Sequence, residues 1–195
     1  MTTPASDNPS KDSKTTPAPS DAGEQDEELL ISLSICVLTV SDTRNEENDK
    51  SGRLLAKRVV EAGHRLLGKA IVPDNIYHIR AAISEWIADP RIHVIITTGG
   101  TGITGRDGTP EAVSVLLDKT IEGFGEVFRS ISYQEIESST IQSRAMAGVA
   151  NGTYLFCLPG SPGACRTAWD RLIRKQLDNR TKPCNLVELL HRLIE

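Results

Sequence analysis

No stretch of this chain is apolar for long enough to cross a membrane as a helix. The most apolar run, LLISLSICVLTV from Leu29, is broken by serines and falls short of the roughly 18 residues a span requires. The N-terminus lacks an apolar stretch behind a basic start, so it does not read as a secretory leader. Cys36, Cys157, Cys165 and Cys184 show no paired ligand spacing, and His64, His78, His93 and His191 are equally scattered. That pattern argues against a disulfide framework or a zinc site and predicts reduced core cysteines. A cytoplasmic protein is the natural expectation.

Two further absences narrow the function. No Gly-Lys-Ser/Thr occurs anywhere, which excludes a P-loop. No basic surplus speaks for nucleic acid either. Met1 to Glu28 carry two lysines against seven acids, a net of −5, so the rest of the 195 residues holds +1 of the overall −4. Residues 1–28, with four prolines and no aromatic residue, are expected to be a disordered acidic tail. Residues 29–195 are expected to form a single folded domain large enough for a real core.

Within that domain the periodicity alternates. Apolar runs predict strands at Leu33–Val40, Ala70–Val72, Val94–Thr97 and Thr153–Leu158. Helical spacing predicts helices over Ser51–Ala62, after Asn75 as far as Asp89-Pro90, from Pro110, around Phe124–Ile131, around Ser139–Ala147, and after Ser161. Trp86 should face the core. Strands alternating with helices predict an α/β fold, a mostly parallel central sheet covered on both faces in three layers, with ligands beyond the carboxyl ends of the strands.

The loops at those ends carry the chemistry. The third strand runs into Gly99-Gly100-Thr101-Gly102, followed by Arg106 and Asp107. Glycines let the backbone turn sharply and bring N–H groups against phosphate oxygens, although a plain glycine turn would look the same. Thr109 and Pro110 read as the N-cap and first position of a helix aimed at the same place. A carboxylate beside an anion site repels the ligand unless a cation lies between them, so Asp107 suggests Mg²⁺. The spacing Gly100, Gly102, Gly105 matches a dinucleotide fingerprint in letter only, because the helix starts later and no acidic residue ends the next strand. In the last loop, Ser161-Pro162 repeats the cap-then-proline arrangement and offers a second anion site. Asp74, after the second strand, reads as a further carboxylate at this edge or as a turn residue before a helix.

Four segments carry a family resemblance: TTGGTGITGRDGTPEA from Thr97, IEGFGEVFR from Ile121, SRAMAGV from Ser143 and LPGSPGACRTAW from Leu158. Together they resemble the MoaB/MogA family of molybdenum cofactor biosynthesis, closer to its MoaB branch, over about Leu29 to the C-terminus. The resemblance implies a molybdopterin-binding α/β fold assembled as a homotrimer or homohexamer, working beside other proteins of the pathway. It implies adenylylation of molybdopterin by Mg-ATP with release of diphosphate. It places the catalytic, metal-holding aspartates at Asp74 and Asp107. On this reading Thr98, Gly99, Gly100, Thr101 and Gly102 cradle the nucleotide phosphates, and Ser161, with Ser41, binds the pterin phosphate end. Ser51, Arg44 and Arg106 are subsidiary candidates. The alternative within the same pathway is a carrier or interaction module that binds molybdopterin without turning it over.

Overall fold

The computed structural model describes Met1 and residues 28–194, so the expectation for the acidic tail lies outside the described residues. A six-stranded sheet runs in the order β2-β1-β3-β6-β5-β4. Its strands are β1 (Ser34–Val40), β2 (Arg65–Val72), β3 (Val94–Thr98), β4 (Lys119–Thr120), β5 (Met146–Ala150) and β6 (Thr153–Leu158). β2, β1, β3 and β6 are parallel neighbours, and β5 pairs antiparallel with both β6 and β4.

Burial follows the two-residue period of the strands. Ile35, Val37, Val94, Ile96, Tyr154, Phe156 and Leu158 face one core layer. That layer is closed by α1 (Lys50–Glu61), α4 (Glu122–Ile136) and α5 (Pro162–Ala168), which continues through a π-helical turn to Gln176. Cys36, Leu38, Val40, Ile95, Leu155 and Cys157 face the other layer, under α2 (Ile76–Ile87) and α3 (Thr109–Ser114). The mostly parallel three-layer α/β/α architecture is thus the one the periodicity predicts. Phe124 stacks toward Phe128 at 6.2 Å and meets Phe156 edge-on at 5.2 Å, fixing α4 on the sheet.

Several local expectations need correction. The helix expected around Ser139–Ala147 is a short 3-10 segment, Glu137–Gln142, followed by strand β5. Alanine and glycine look helical or neutral in isolation, yet Ala145, Ala147 and Val149 alternate into one core layer, and cross-strand pairing overrides propensity. Gly148 is needed there because a Cβ would lie 2.6 Å from the Lys119 carbonyl. β2 is longer than its apolar end suggests, being a half-buried edge strand. Trp86 is half-buried against the second core layer. Cys36, Cys157 and Cys165 are buried, whereas Cys184 is exposed. Burial pushes the Cys157 thiol up to about 12, so it stays protonated and inert. Among the described residues no helix is long and apolar enough to cross a membrane.

Candidate functional site

The carboxyl ends of β1, β3 and β6 bring three loops together. Gly99 adopts φ +105° because a Cβ there would sit 2.2 Å from the Val40 carbonyl, so the glycine loop passes directly over the end of β1. A Cβ on Gly160 would lie 3.3 Å from the Gly99 Cα, so the last loop packs on the glycine loop backbone to backbone. Ser51, at the start of α1, donates to the Gly160 carbonyl at 2.7 Å and ties the third loop in. Two cavities flank this junction. The larger, about 510 Å³, lies between the glycine loop, the Pro159–Ser161 turn and α4 with its 3-10 extension. The smaller, about 220 Å³, is lined by Ser41, Thr43, Arg44, Ser51 and Thr98. Gly99 and Gly160 line both.

The individual residues divide into free and committed groups. Among the described residues the N–H groups of Gly100 and Thr101 donate to no protein acceptor, and both residues line the larger cavity. Thr98 is buried, and its hydroxyl donates to the Pro159 carbonyl at 3.0 Å, so it locks the two loops together. Ser161 caps α5, accepting from the Ala164 amide at 3.2 Å, and borders the cavity where the helix begins. The Ser41 hydroxyl accepts from the Thr43 and Arg44 amides at 3.2 Å each, shaping the loop that walls the smaller cavity.

Thr109 is not the cap of α3. Gly108 precedes the helix, Thr109 is its first residue, and the Thr109 hydroxyl donates to the Gly99 carbonyl at 2.9 Å. Its amide is spent on the Gly100 carbonyl, and the Gly108 amide points at Asp74 Oδ1 at 3.4 Å. The start of α3 therefore faces the protein's own carboxylate. Nor does Asp74 cap α2. That role falls to Asn75, whose side chain accepts from the Tyr77 amide at 2.9 Å, which leaves the Asp74 carboxylate directed at the glycine loop.

Asp74 and Asp107 converge there. Asp74 oxygens lie 3.0 Å from where a Gly100 Cβ would be, and Asp107 Oδ2 lies 2.7 Å from the same position on Gly102. Asp107 is held by the Thr104 hydroxyl at 2.5 Å and the Thr104 amide at 2.8 Å, and these bonds keep its carboxyl below the usual carboxylate range. Asp74 is the reverse. Burial raises its pKa above the ordinary 3.8, an effect the Gly108 amide opposes and the nearby Asp107 and Asp42 charges reinforce. Arg106 offsets part of that charge and pairs with Asp42 at 3.1 Å. Two half-buried carboxylates at one loop, with the charges of Asp107 and Asp42 helping to raise the pKa of Asp74, make a place where a cation is favoured. Among the described residues no group of three or more His, Cys, Asp or Glu side chains could hold a metal alone. A pair of aspartates therefore suits Mg²⁺, which completes its shell with phosphate oxygens and water.

Sequence reasoning missed two contributors. Asp49 is buried, caps α1 through the Gly52 amide at 2.8 Å, accepts from Thr39 at 3.0 Å and pairs with Lys69 at 3.2 Å. This anchors the loop that carries Ser41, and removing one partner of such a buried pair costs about 3–5 kcal/mol. Its cue was the Asp two residues before Ser51, an N-cap spacing. Arg144 is the other. Its guanidinium donates to the Gly102 carbonyl at 2.7 Å, to the Asp107 carbonyl at 2.6 Å and to Glu111, clamping both ends of the glycine loop. Nothing local marks Arg144 for this, because its acceptors are distant in sequence. If this loop positions a phosphorylated substrate for reaction, Arg144→Ala is expected to lower kcat/KM by roughly 10–100-fold through a misplaced loop. Arg144→Lys should recover little of it, since one ammonium cannot reproduce the planar fork. Steady-state kinetics on both variants checks this, and wild-type values for Arg144→Ala would refute the clamp.

A parallel-sheet edge with two glycine-bearing loops, free amides and paired carboxylates is the kind of place where α/β proteins gather anionic ligands. Residues 36–179 match the family described as a probable molybdopterin binding domain. Molybdenum cofactor biosynthesis protein B of Escherichia coli is 55% identical over 156 residues, covering 80% of this chain and 92% of that protein. The protein of the same name from Bacillus subtilis is 44% identical over 142 residues, covering 72% and 84%. A crystal structure of a molybdenum cofactor biosynthesis protein B superimposes with a TM-score of 0.77 at 42% identity, covering 85% of this chain and 98% of that one. The tungsten cofactor synthesizing protein MoaB from Pyrococcus furiosus gives 0.71 at 35% identity, covering 84% and 98%. The chain belongs to the MoaB/MogA family of molybdenum cofactor biosynthesis proteins.

Proposed function

We propose that the protein acts in molybdenum cofactor biosynthesis by adenylylating molybdopterin with Mg-ATP. The single observation that carries this reading is the junction of two anion-accepting loops, joined at Gly99 and Gly160, with Asp74 and Asp107 beside them. In the reaction an oxygen of the molybdopterin phosphate bonds to the α-phosphorus of ATP as the bond from that phosphorus to the β-phosphate bridge breaks, leaving diphosphate. Two anions must be brought into line, so positioning and electrostatics supply the rate. Gly100 and Thr101 hold the nucleotide phosphates through backbone amides, in a loop turned by Gly99, whose own amide donates to the Leu158 carbonyl at 3.0 Å, and by Gly102, with Thr98 fixing it from beneath. Ser161 and Ser41 border the pterin phosphate end. Asp74 and Asp107 would hold Mg²⁺, which supplies charge neutralisation on the transferring phosphoryl group.

A second reading, a molybdopterin-binding carrier, is favoured by one observation: among the described residues no group of three or more His, Cys, Asp or Glu side chains could hold a metal, so this edge offers only the Asp74–Asp107 pair. Incubating purified protein with molybdopterin, Mg²⁺ and ATP separates the two. Formation of adenylyl-molybdopterin and diphosphate is expected; tight molybdopterin binding without product would favour the carrier.

Assembly belongs to the same proposal. Phe124 and Phe128 fill the protomer's own core. Val127, Tyr133, Ile136 and, beyond the helix, Ile141 remain exposed at 47%, 60%, 52% and 83%. Val127 and Ile136, nine residues apart, lie on opposite sides of α4, so the contact falls to Tyr133, Ile136 and Ile141 at and beyond its end, exposed apolar side chains of the kind a subunit contact covers. Light scattering should report three or six protomers, and a stable monomer at micromolar concentration would sink this part.

A further inference from the structure

The larger cavity has two chemically different ends. At one end lie the free amides of Gly100 and Thr101 and the helix start at Ser161. Away from that junction, on α4, Glu135 lines the wall. The Thr167 hydroxyl on α5 donates to both Glu135 oxygens, at 3.0 and 2.8 Å, and so holds the carboxylate in place. Among the described residues no Lys, Arg or His pairs with Glu135, although pairing is common elsewhere on this surface. Between the two ends the walls include Phe128, Ile136, Pro159 and Ala164, suited to a flat ring. Glu135 is exposed, its carboxylate has spare lone pairs and no cationic partner, and it borders this slot, so a ligand carrying adjacent N–H donors in the slot would pair with it.

We propose that Glu135 recognises the 2-amino, ring N–H edge of a phosphorylated pterin whose phosphate sits at the helix start at Ser161. The assignment rests on the proposed function for the identity of the ligand and deepens it by naming the specificity group. Adenine is rejected by the same geometry, because its edge places an acceptor nitrogen beside its amino group and turns a lone pair toward the carboxylate. ATP therefore leaves this slot to the pterin. Guanine offers the same donor pair, so the two sources must be told apart.

Fluorescence titration of full-length protein at pH 7 with 6-(phosphooxymethyl)pterin tests the assignment, together with its 2-oxo lumazine counterpart and competition by GMP. Wild type should prefer the pterin over the lumazine by about tenfold or more, because the 2-oxo group meets the carboxylate lone pair to lone pair. Glu135→Gln should weaken the pterin by about tenfold and erase the preference, while Tm stays put because the amide oxygen still accepts from Thr167. GMP should compete at least about tenfold more weakly, its ribose placing the phosphate at a different reach. No pterin binding by wild type, no discrimination, an unchanged preference in Glu135→Gln, or GMP competing equally would each overturn the proposal. ATP plays no part in the titration, so it can succeed where adenylylation fails, and adenylylation insensitive to Glu135 would sink the subsite alone.

Discussion

Asp107→Asn is expected to lower adenylylation by about two to three orders of magnitude while lowering the melting temperature by only about a degree or two at pH 7, because the depressed pKa means the ionised carboxylate stabilises the fold slightly. The asymmetry follows from where the side chain sits. Asp107 lies on a half-exposed loop outside both core layers, so no apolar packing depends on it. Its Oδ2 accepts from the Thr104 amide and hydroxyl, and an asparagine oxygen can accept from the same donors. What the substitution removes is the negative charge, held ready over the whole neutral range because those bonds depress its pKa. On the proposed reaction, a site that has lost one of its two metal-holding carboxylates should fail in kcat more than in ATP affinity, since the backbone amides of Gly100 and Thr101 remain. Full activity in Asp107→Asn, measured by diphosphate release, would remove the metal role from this residue.

How far the sequence could lead depended on whether the signal was local. β1, β3 and β6 are buried on both faces, so they appear as continuous apolar runs, and α2 is bounded by Asn75 and Asp89-Pro90. The cap at Ser161 was legible for the same reason: donor and acceptor are three residues apart. β5 was not, because small residues carry little periodicity and its identity depends on pairing with β6. Thr109 looked like a cap and serves instead to tie the helix to the Gly99 carbonyl, a contact made possible only by the folded loop. The convergence of Asp74 with Asp107 could be guessed from both following parallel strands. The clamp by Arg144 and the anchoring of Asp49 by Lys69 join elements that sequence order separates.

Asp74→Asn should also cost about two orders of magnitude in activity, yet leave the fold as stable or raise its melting temperature by a degree or two at pH 7. Burial raises the pKa of Asp74 in the folded state, with Asp107 and Asp42 adding to the effect. A carboxyl whose folded pKa lies above its unfolded value binds its proton more tightly when folded. Its favourable contribution is therefore present below 3.8 and is lost as pH rises through the raised folded value. At neutral pH the ionised Asp74 is a burden on the folded state, discounted because the group is only half-buried. Asparagine lifts that burden and keeps an oxygen for the Gly108 amide. Mg²⁺ held by Asp74 and Asp107 as proposed would lift it too, so the wild-type melting temperature should rise with added Mg²⁺ at pH 7, and rise less as pH falls through the raised value and Asp74 takes up its proton. In Asp74→Asn the Mg²⁺ response should shrink at every pH. Thermal melts of both proteins with and without Mg²⁺ separate this account from a turn role. A turn residue would lose stability on substitution and leave the metal response intact, and that outcome would move the metal away from Asp74.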